Sequence, residues 1–167
     1  MLRIMWETGV RVGELLKLTL QSFDTGQKHV LVPTEKKHLV KRRVGAGRPR
    51  RQETPVRRVP ITSELLAELA QYALAHHLES ATPLFGVTRQ RVFQVVKGAG
   101  RQAGLSEEHG ELHPHVLRHS FAVHCILNGV PVPVLQNWLG HASVMSTMAY
   151  TKIMSVDGDA YFQRIAW

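Results

Sequence analysis

The chain has 167 residues, 44% of them hydrophobic, enough for one well-cored domain and too few for two ordinary ones. Twenty-one Lys and Arg against 13 Asp and Glu give a formal charge of +8 and a pI near 10.2, which favours a polyanionic partner, nucleic acid first. No run nears the roughly 18 consecutive apolar residues of a membrane span. The opening residues lack the apolar core of a signal peptide, and the lone Cys125 excludes a disulfide framework, so a cytoplasmic, non-membrane protein with a small buried thiol is expected.

In chain order, the first periodic segment spans about Leu2 to Leu18 and begins without a capping residue, as though its start were cut away. His29 to Pro33 and Pro55 to Ile61 are short β-branched runs, and the stretch between them is dense in Lys, Arg and Gly, which predicts a hairpin with a long basic tip. Ser63 is placed to cap a helix with Leu65, Leu66, Leu69, Ala73 and Leu74 on one face; Thr88 is placed to cap another with Val92, Val95, Val96 and Ala99. A helix from Pro114 to Asn128 stops at Gly129, and a shorter one from Val132 to Leu139 stops at Gly140. Ser143 can cap a last turn or two before Tyr150, and Asp157-Gly158-Asp159 suggests a break before a final short helix. The fold class is mainly α with a small antiparallel β-hairpin or sheet, as a single domain over 1–167 with six or seven helices.

A reaction at a DNA phosphodiester sets three tasks: fixed cations for the non-bridging oxygens, a proton donor for the leaving alkoxide, and an in-line nucleophile. Arginine suits the first because its planar fork grips two phosphate oxygens and stays charged. His115 and Arg118 stand three apart, hence on one helical face, with Leu117 and Phe121 turned to the core. His141 follows in Leu139-Gly140-His141, and Tyr150 lies nine positions beyond it. Arg11 sits in Thr8-Gly9-Val10-Arg11-Val12-Gly13-Glu14-Leu15 as a second possible grip.

Each has a plainer reading. Arg11 alone would be a surface arginine lying over a helix end, and Tyr150 alone a core tyrosine like Tyr72 or Tyr161. His113, His115, His119 and His124 lack a carboxylate or cysteine to complete a metal-ligand set, so no metal is expected. Gly45-Ala46-Gly47 and Gly98-Ala99-Gly100 lack the Lys-Ser or Lys-Thr pair of a nucleotide loop.

Taken in order, the T-G-x-R-x-x-E-L box at Thr8 to Leu15, H-x-L-R-H at His115 to His119, L-G-H at Leu139 to His141 and the following Tyr150 resemble the catalytic domain of the tyrosine recombinase, or phage integrase, family. The resemblance implies catalytic roles for Arg11, His115, Arg118, His141 and Tyr150, with His119 in support, and for a hairpin lysine. Lys36, Lys37 and Lys41 are available for that last role, and counting from Val30-Leu31-Val32 favours Lys36. It further implies strand cleavage and rejoining through a 3′-phosphotyrosyl link, without cofactor, ATP or metal. The implied partners are double-stranded DNA, an N-terminal clamp domain that is absent before Leu2, and a homo-tetramer on two duplexes docked through Asp159 to Trp167.

The basic tract, with Lys37, Lys41, Arg42, Arg43, Arg48, Arg50 and Arg51, is then expected to meet DNA phosphates. Two other readings remain: a truncated, non-catalytic DNA-binding module of the same fold, and a helix-turn-helix regulator using Val132 to Leu139. The second leaves the ordered arginines, histidines and tyrosine without a reason.

Overall fold

The computed structural model describes residues 1–34, 55–105 and 112–141. Lys36, the basic hairpin tip through Arg51, the Ser143 cap, Tyr150 and the tail to Trp167 lie outside them.

The first periodic segment is two helices rather than one. Helix α1 (Leu2–Thr8) buries Ile4, Met5 and Thr8, and α2 (Val12–Leu15) buries Val12, Glu14 and Leu15. Gly9 separates them with φ 60° in the left-handed region, its N–H donating to the Met5 carbonyl. Apolar spacing runs through the break, so periodicity alone does not reveal it. A 3-10 turn (Leu20–Ser22) leads into β1 (Phe23–Asp24), which pairs antiparallel with β2 (His29–Pro33), itself antiparallel to β3 (Val56–Pro60). The expected hairpin is therefore two strands of a three-stranded sheet. Its register places Val30 opposite Val59 and Val32 opposite Arg57, and all four side chains are buried on one face.

Helix α3 (Ser63–Ala75) is capped by Thr62 rather than Ser63: the Thr62 hydroxyl oxygen accepts the Leu65 N–H at 3.2 Å while donating to Glu7 at 2.8 Å. Thr88 caps α4 (Arg89–Gln102) as expected. Helix α5 (Pro114–Leu127) opens with proline in its first turn, where a missing N–H costs nothing, and α6 (Val132–Leu139) ends at Gly140 with φ 62°. The described residues thus hold six α-helices and one small sheet.

Apolar burial falls in two clusters. The larger joins α1, α2, the sheet, α3 and α4 around Met5, Leu15, Leu18, Val30 and Leu84. The smaller joins α5 to α6 through Phe121, Ala122, Cys125, Ile126, Leu135 and Leu139, with Trp138 packed against both. Burial raises the Cys125 thiol to about 11, as befits a packing residue rather than a reactive one. Helix α1 lies along α5 and α6 leans on β3, so the Gly9 break, the buried face of α5 and the end of α6 meet at one corner.

Candidate active site

The buried polar residues of the described chain are Thr8, Glu14, Arg57 and Arg118, and the last three organise that corner. Arg118 points inward from α5. One of its terminal nitrogens donates to the Gly9 carbonyl at 2.6 Å, 109 positions earlier in the chain, and the other donates to the Leu139 carbonyl at 2.6 Å. Both acceptors lie at helix ends, where carbonyls lack an intrahelical partner: Gly9 caps the end of α1 and Leu139 is the last residue of α6. One guanidinium therefore stitches the Thr8–Leu15 box to the Leu139–His141 box.

This closeness explains two glycines. A Cβ on Gly9 would fall 2.5 Å from Phe121 Cδ1 and 3.0 Å from Leu139 Cδ2, on a residue whose φ already disfavours a side chain. On Gly140 it would lie 3.1 Å from Arg57 Cδ.

Glu14 is fully buried, a costly place for a carboxylate unless it is paired. Four hydrogen bonds satisfy it. Arg57 donates to both oxygens, at 2.9 Å to Oε1 and 2.7 Å to Oε2; Arg11 adds its Nη1 to Oε1 at 3.0 Å and its backbone N–H to Oε2 at 2.8 Å. Burial alone would push the Glu14 carboxyl upward, but the bond and charge of Arg57, then those of Arg11, outweigh it and hold it below the usual carboxylate range. The Nε of Arg57 donates to the Trp138 carbonyl at 2.7 Å, one residue before the carbonyl that anchors Arg118.

His141 completes the corner. Burial, then the charges of Arg118, Arg11 and Arg57, and lastly His119, push its imidazole down to about 4, so it is neutral at neutral pH and has one N–H to donate. His115 stands exposed in the first turn of α5. It is also lowered, first by burial and then by His113, Arg118, His119 and Arg11. The charges of Arg11 and Arg118 thus act on both histidines.

Two N–H groups of Arg118, a residue expected to grip phosphate, hold backbone carbonyls, so its charge is fixed in place before any ligand arrives. Arg57 is the residue that sequence reasoning missed. Its signal was present: on a strand whose inward positions alternate, Arg57 is in phase with Val59 and so faces the core. The candidate lysines 36, 37 and 41, the basic residues 42, 43, 48, 50 and 51, and Tyr150 lie outside the described residues, so their relation to the corner rests on sequence alone.

Fold and corner together define a mainly α domain built to place several cations around one small volume. The chain belongs to the phage integrase family, whose pattern it matches over residues 1–155. It is 30% identical over 165 residues to the tyrosine recombinase XerD of Listeria innocua, covering 92% of this chain and 49% of that protein. It is likewise 30% identical over 159 residues to the tyrosine recombinase XerA of Pyrococcus furiosus, covering 90% and 48%. The chain therefore spans about half the length of these relatives. Among solved structures, the XerA recombinase superposes with a TM-score of 0.68 at 25% identity, over 98% of this chain and 57% of that one. The catalytic domain of the bacteriophage HP1 integrase shares the fold, with a TM-score of 0.60 at 24% identity over 99% and 83%.

Proposed function

We propose that this chain is the strand-exchange domain of a site-specific recombinase acting on duplex DNA through Tyr150. The observation that carries this reading is the convergence of Arg11, Arg118 and His141 at a corner where one guanidinium is locked to two carbonyls from distant segments. Such a corner suits a phosphate in which negative charge grows on two non-bridging oxygens. Family membership and relatives named tyrosine recombinases support it, as does a solved neighbour at TM-score 0.72, XerH, whose structure is a post-cleavage complex on its difH substrate.

In this reading the Tyr150 oxygen attacks the scissile phosphorus and the P–O5′ bond breaks, leaving a 3′-phosphotyrosyl link. His115 takes the phenol proton. Lys36, or in its place Lys37 or Lys41, protonates the departing 5′-oxygen, while Arg11 and Arg118 hold the non-bridging oxygens and the neutral His141 donates one hydrogen bond to them. A 5′-hydroxyl of another strand then attacks phosphorus, and the tyrosine leaves. Phosphodiester energy is retained in the link, so the exchange needs no nucleotide. The basic residues 37, 41, 42, 43, 48, 50 and 51 track neighbouring phosphates, releasing counterions as they bind. Complete recombination then takes four protomers on two duplexes.

The test is covalent trapping. The full-length protein selects its site from a random-sequence library, and a nicked suicide duplex carrying that site is then offered to it. A denaturant-resistant protein–DNA adduct is expected, and it is expected to vanish in Tyr150→Phe. Binding without any adduct from the unaltered protein would favour the non-catalytic DNA-binding module instead.

A further inference from the structure

Two arginines of the corner, Arg11 and Arg57, share one carboxylate, Glu14, and the way they share hydrogen bonds is uneven. Arg57 spans both oxygens of Glu14, whereas the side chain of Arg11 reaches only Oε1, through Nη1. A carboxylate facing a single arginine favours the two-pronged arrangement, which is the strongest they can make. Here that arrangement is taken by Arg57, a residue 4% exposed that comes from the sheet rather than from the box bearing Arg11. We propose that Arg57 is a positioning residue for the phosphate grip: by taking the two-pronged arrangement on Glu14 it limits the side chain of Arg11 to a single bond through Nη1, and so leaves the rest of that guanidinium for the anion. The inference rests on the reading of this corner as a phosphate site.

Two further contacts fit this role better than that of a simple core ion pair. The third donor of Arg57, Nε, is fixed on the Trp138 carbonyl, and its Cδ and guanidinium fill the space where a Cβ on Gly140 would stand, 3.1–3.3 Å from it. The residue that holds Glu14 thus also seats the segment leading into His141. Charge points the same way: Arg11 and Arg57 against Glu14 leave one positive charge in surplus. Removing Arg57 leaves none, and removing Arg57 and Glu14 together restores one, now carried by Arg11 alone.

The experiment uses inorganic phosphate as the probe and the Cε1–H resonance of His141 as the reporter, in the whole chain at neutral pH, with the melting temperature of each variant recorded alongside. Arg57→Met is expected to weaken phosphate about tenfold, the scale of one lost interaction in a partly screened site. In the double variant Glu14→Gln/Arg57→Met, affinity is expected to return to within about threefold of the original, although both variants melt lower. Arg57→Lys, which supplies charge without the fork, falls between. A purely structural role would move melting and leave the double variant binding no better than the single. That result, or phosphate binding in Arg57→Met equal to the original, overturns the proposal. If Arg57→Met fails to fold, Arg57→Lys against Glu14→Gln/Arg57→Lys makes the same comparison, with the same recovery expected. A wild-type chain whose His141 does not respond to phosphate would overturn the reading of the corner itself and this inference with it, whereas the first two results overturn the role of Arg57 alone.

Discussion

Gly9→Ala tests how the fold builds the corner. Two effects add at this position. A left-handed φ of 60° costs an L-residue roughly 1–2 kcal/mol, and a new Cβ 2.5 Å from Phe121 Cδ1 overpacks the α1–α5 contact by roughly another 1–3 kcal/mol. Gly129 offers a matched control: its φ is 79°, but a Cβ there meets nothing within 4 Å, so Gly129→Ala carries only the first effect. The expected losses are about 2–5 kcal/mol for Gly9→Ala and about 1–2 kcal/mol for Gly129→Ala, the former a sizeable share of the 5–15 kcal/mol typical of a domain. Denaturant titration of both variants under the same conditions measures the difference, with unchanged slopes confirming a common unfolded state. DNA cleavage per folded molecule should also fall in Gly9→Ala alone, because the displaced Gly9 carbonyl is an anchor of Arg118. Equal losses of stability in the two variants would refute the packing argument.

Arg118→Lys is expected to lose about 1–3 kcal/mol of stability, since an ammonium cannot present two separated nitrogens to the Gly9 and Leu139 carbonyls, and on the order of 100-fold in cleavage rate. Denaturation and single-turnover kinetics check the two parts. For His141, the folded imidazole titrates near 4 and an unfolded one near 6.5, so between these values the unfolded chain binds more protons. This group is therefore expected to lower stability as pH falls from about 6.5 towards 4 and to leave it unchanged above; melting at pH 7 and pH 5 should show a larger drop in the original chain than in His141→Gln. Thr88→Ala should cost about 1 kcal/mol as a lost helix cap, and Thr62→Ala more, because Thr62 also bonds Glu7; thermal melts rank them.

The helices from Thr62 onward were legible because each carries local punctuation: a threonine cap, the proline of α5, or the glycine after α6. Where two capping residues adjoin, as at Thr62-Ser63, composition cannot choose between them, and the contact with Glu7 favours the threonine. The break at Gly9 was not legible, because its cause is tertiary: Phe121 and Arg118 arrive from a helix more than a hundred positions away. The two-residue strand β1 is too short to show a period of its own and exists through its pairing with β2. At the site, the order of Arg11, His115, Arg118 and His141 was visible as a pattern of residue types. Its inner support was not, because main-chain carbonyls have no sequence signature and the Glu14–Arg57 pair joins a helix to a strand. Arg57 itself lay within the β-branched run Pro55 to Ile61 and was not singled out, although strand alternation marked it as inward-facing.

Under the proposed function, residues 11, 118 and 141 hold one and the same anion. Anomalous diffraction from crystals soaked in selenate, a tetrahedral dianion like phosphate, tests this directly. The expected result is a single selenium peak whose oxygens lie about 3 Å from the guanidinium groups of both Arg11 and Arg118 and from an imidazole nitrogen of His141. Two separate anions on the two arginines, or selenate bound elsewhere with this corner empty at saturation, would contradict the account.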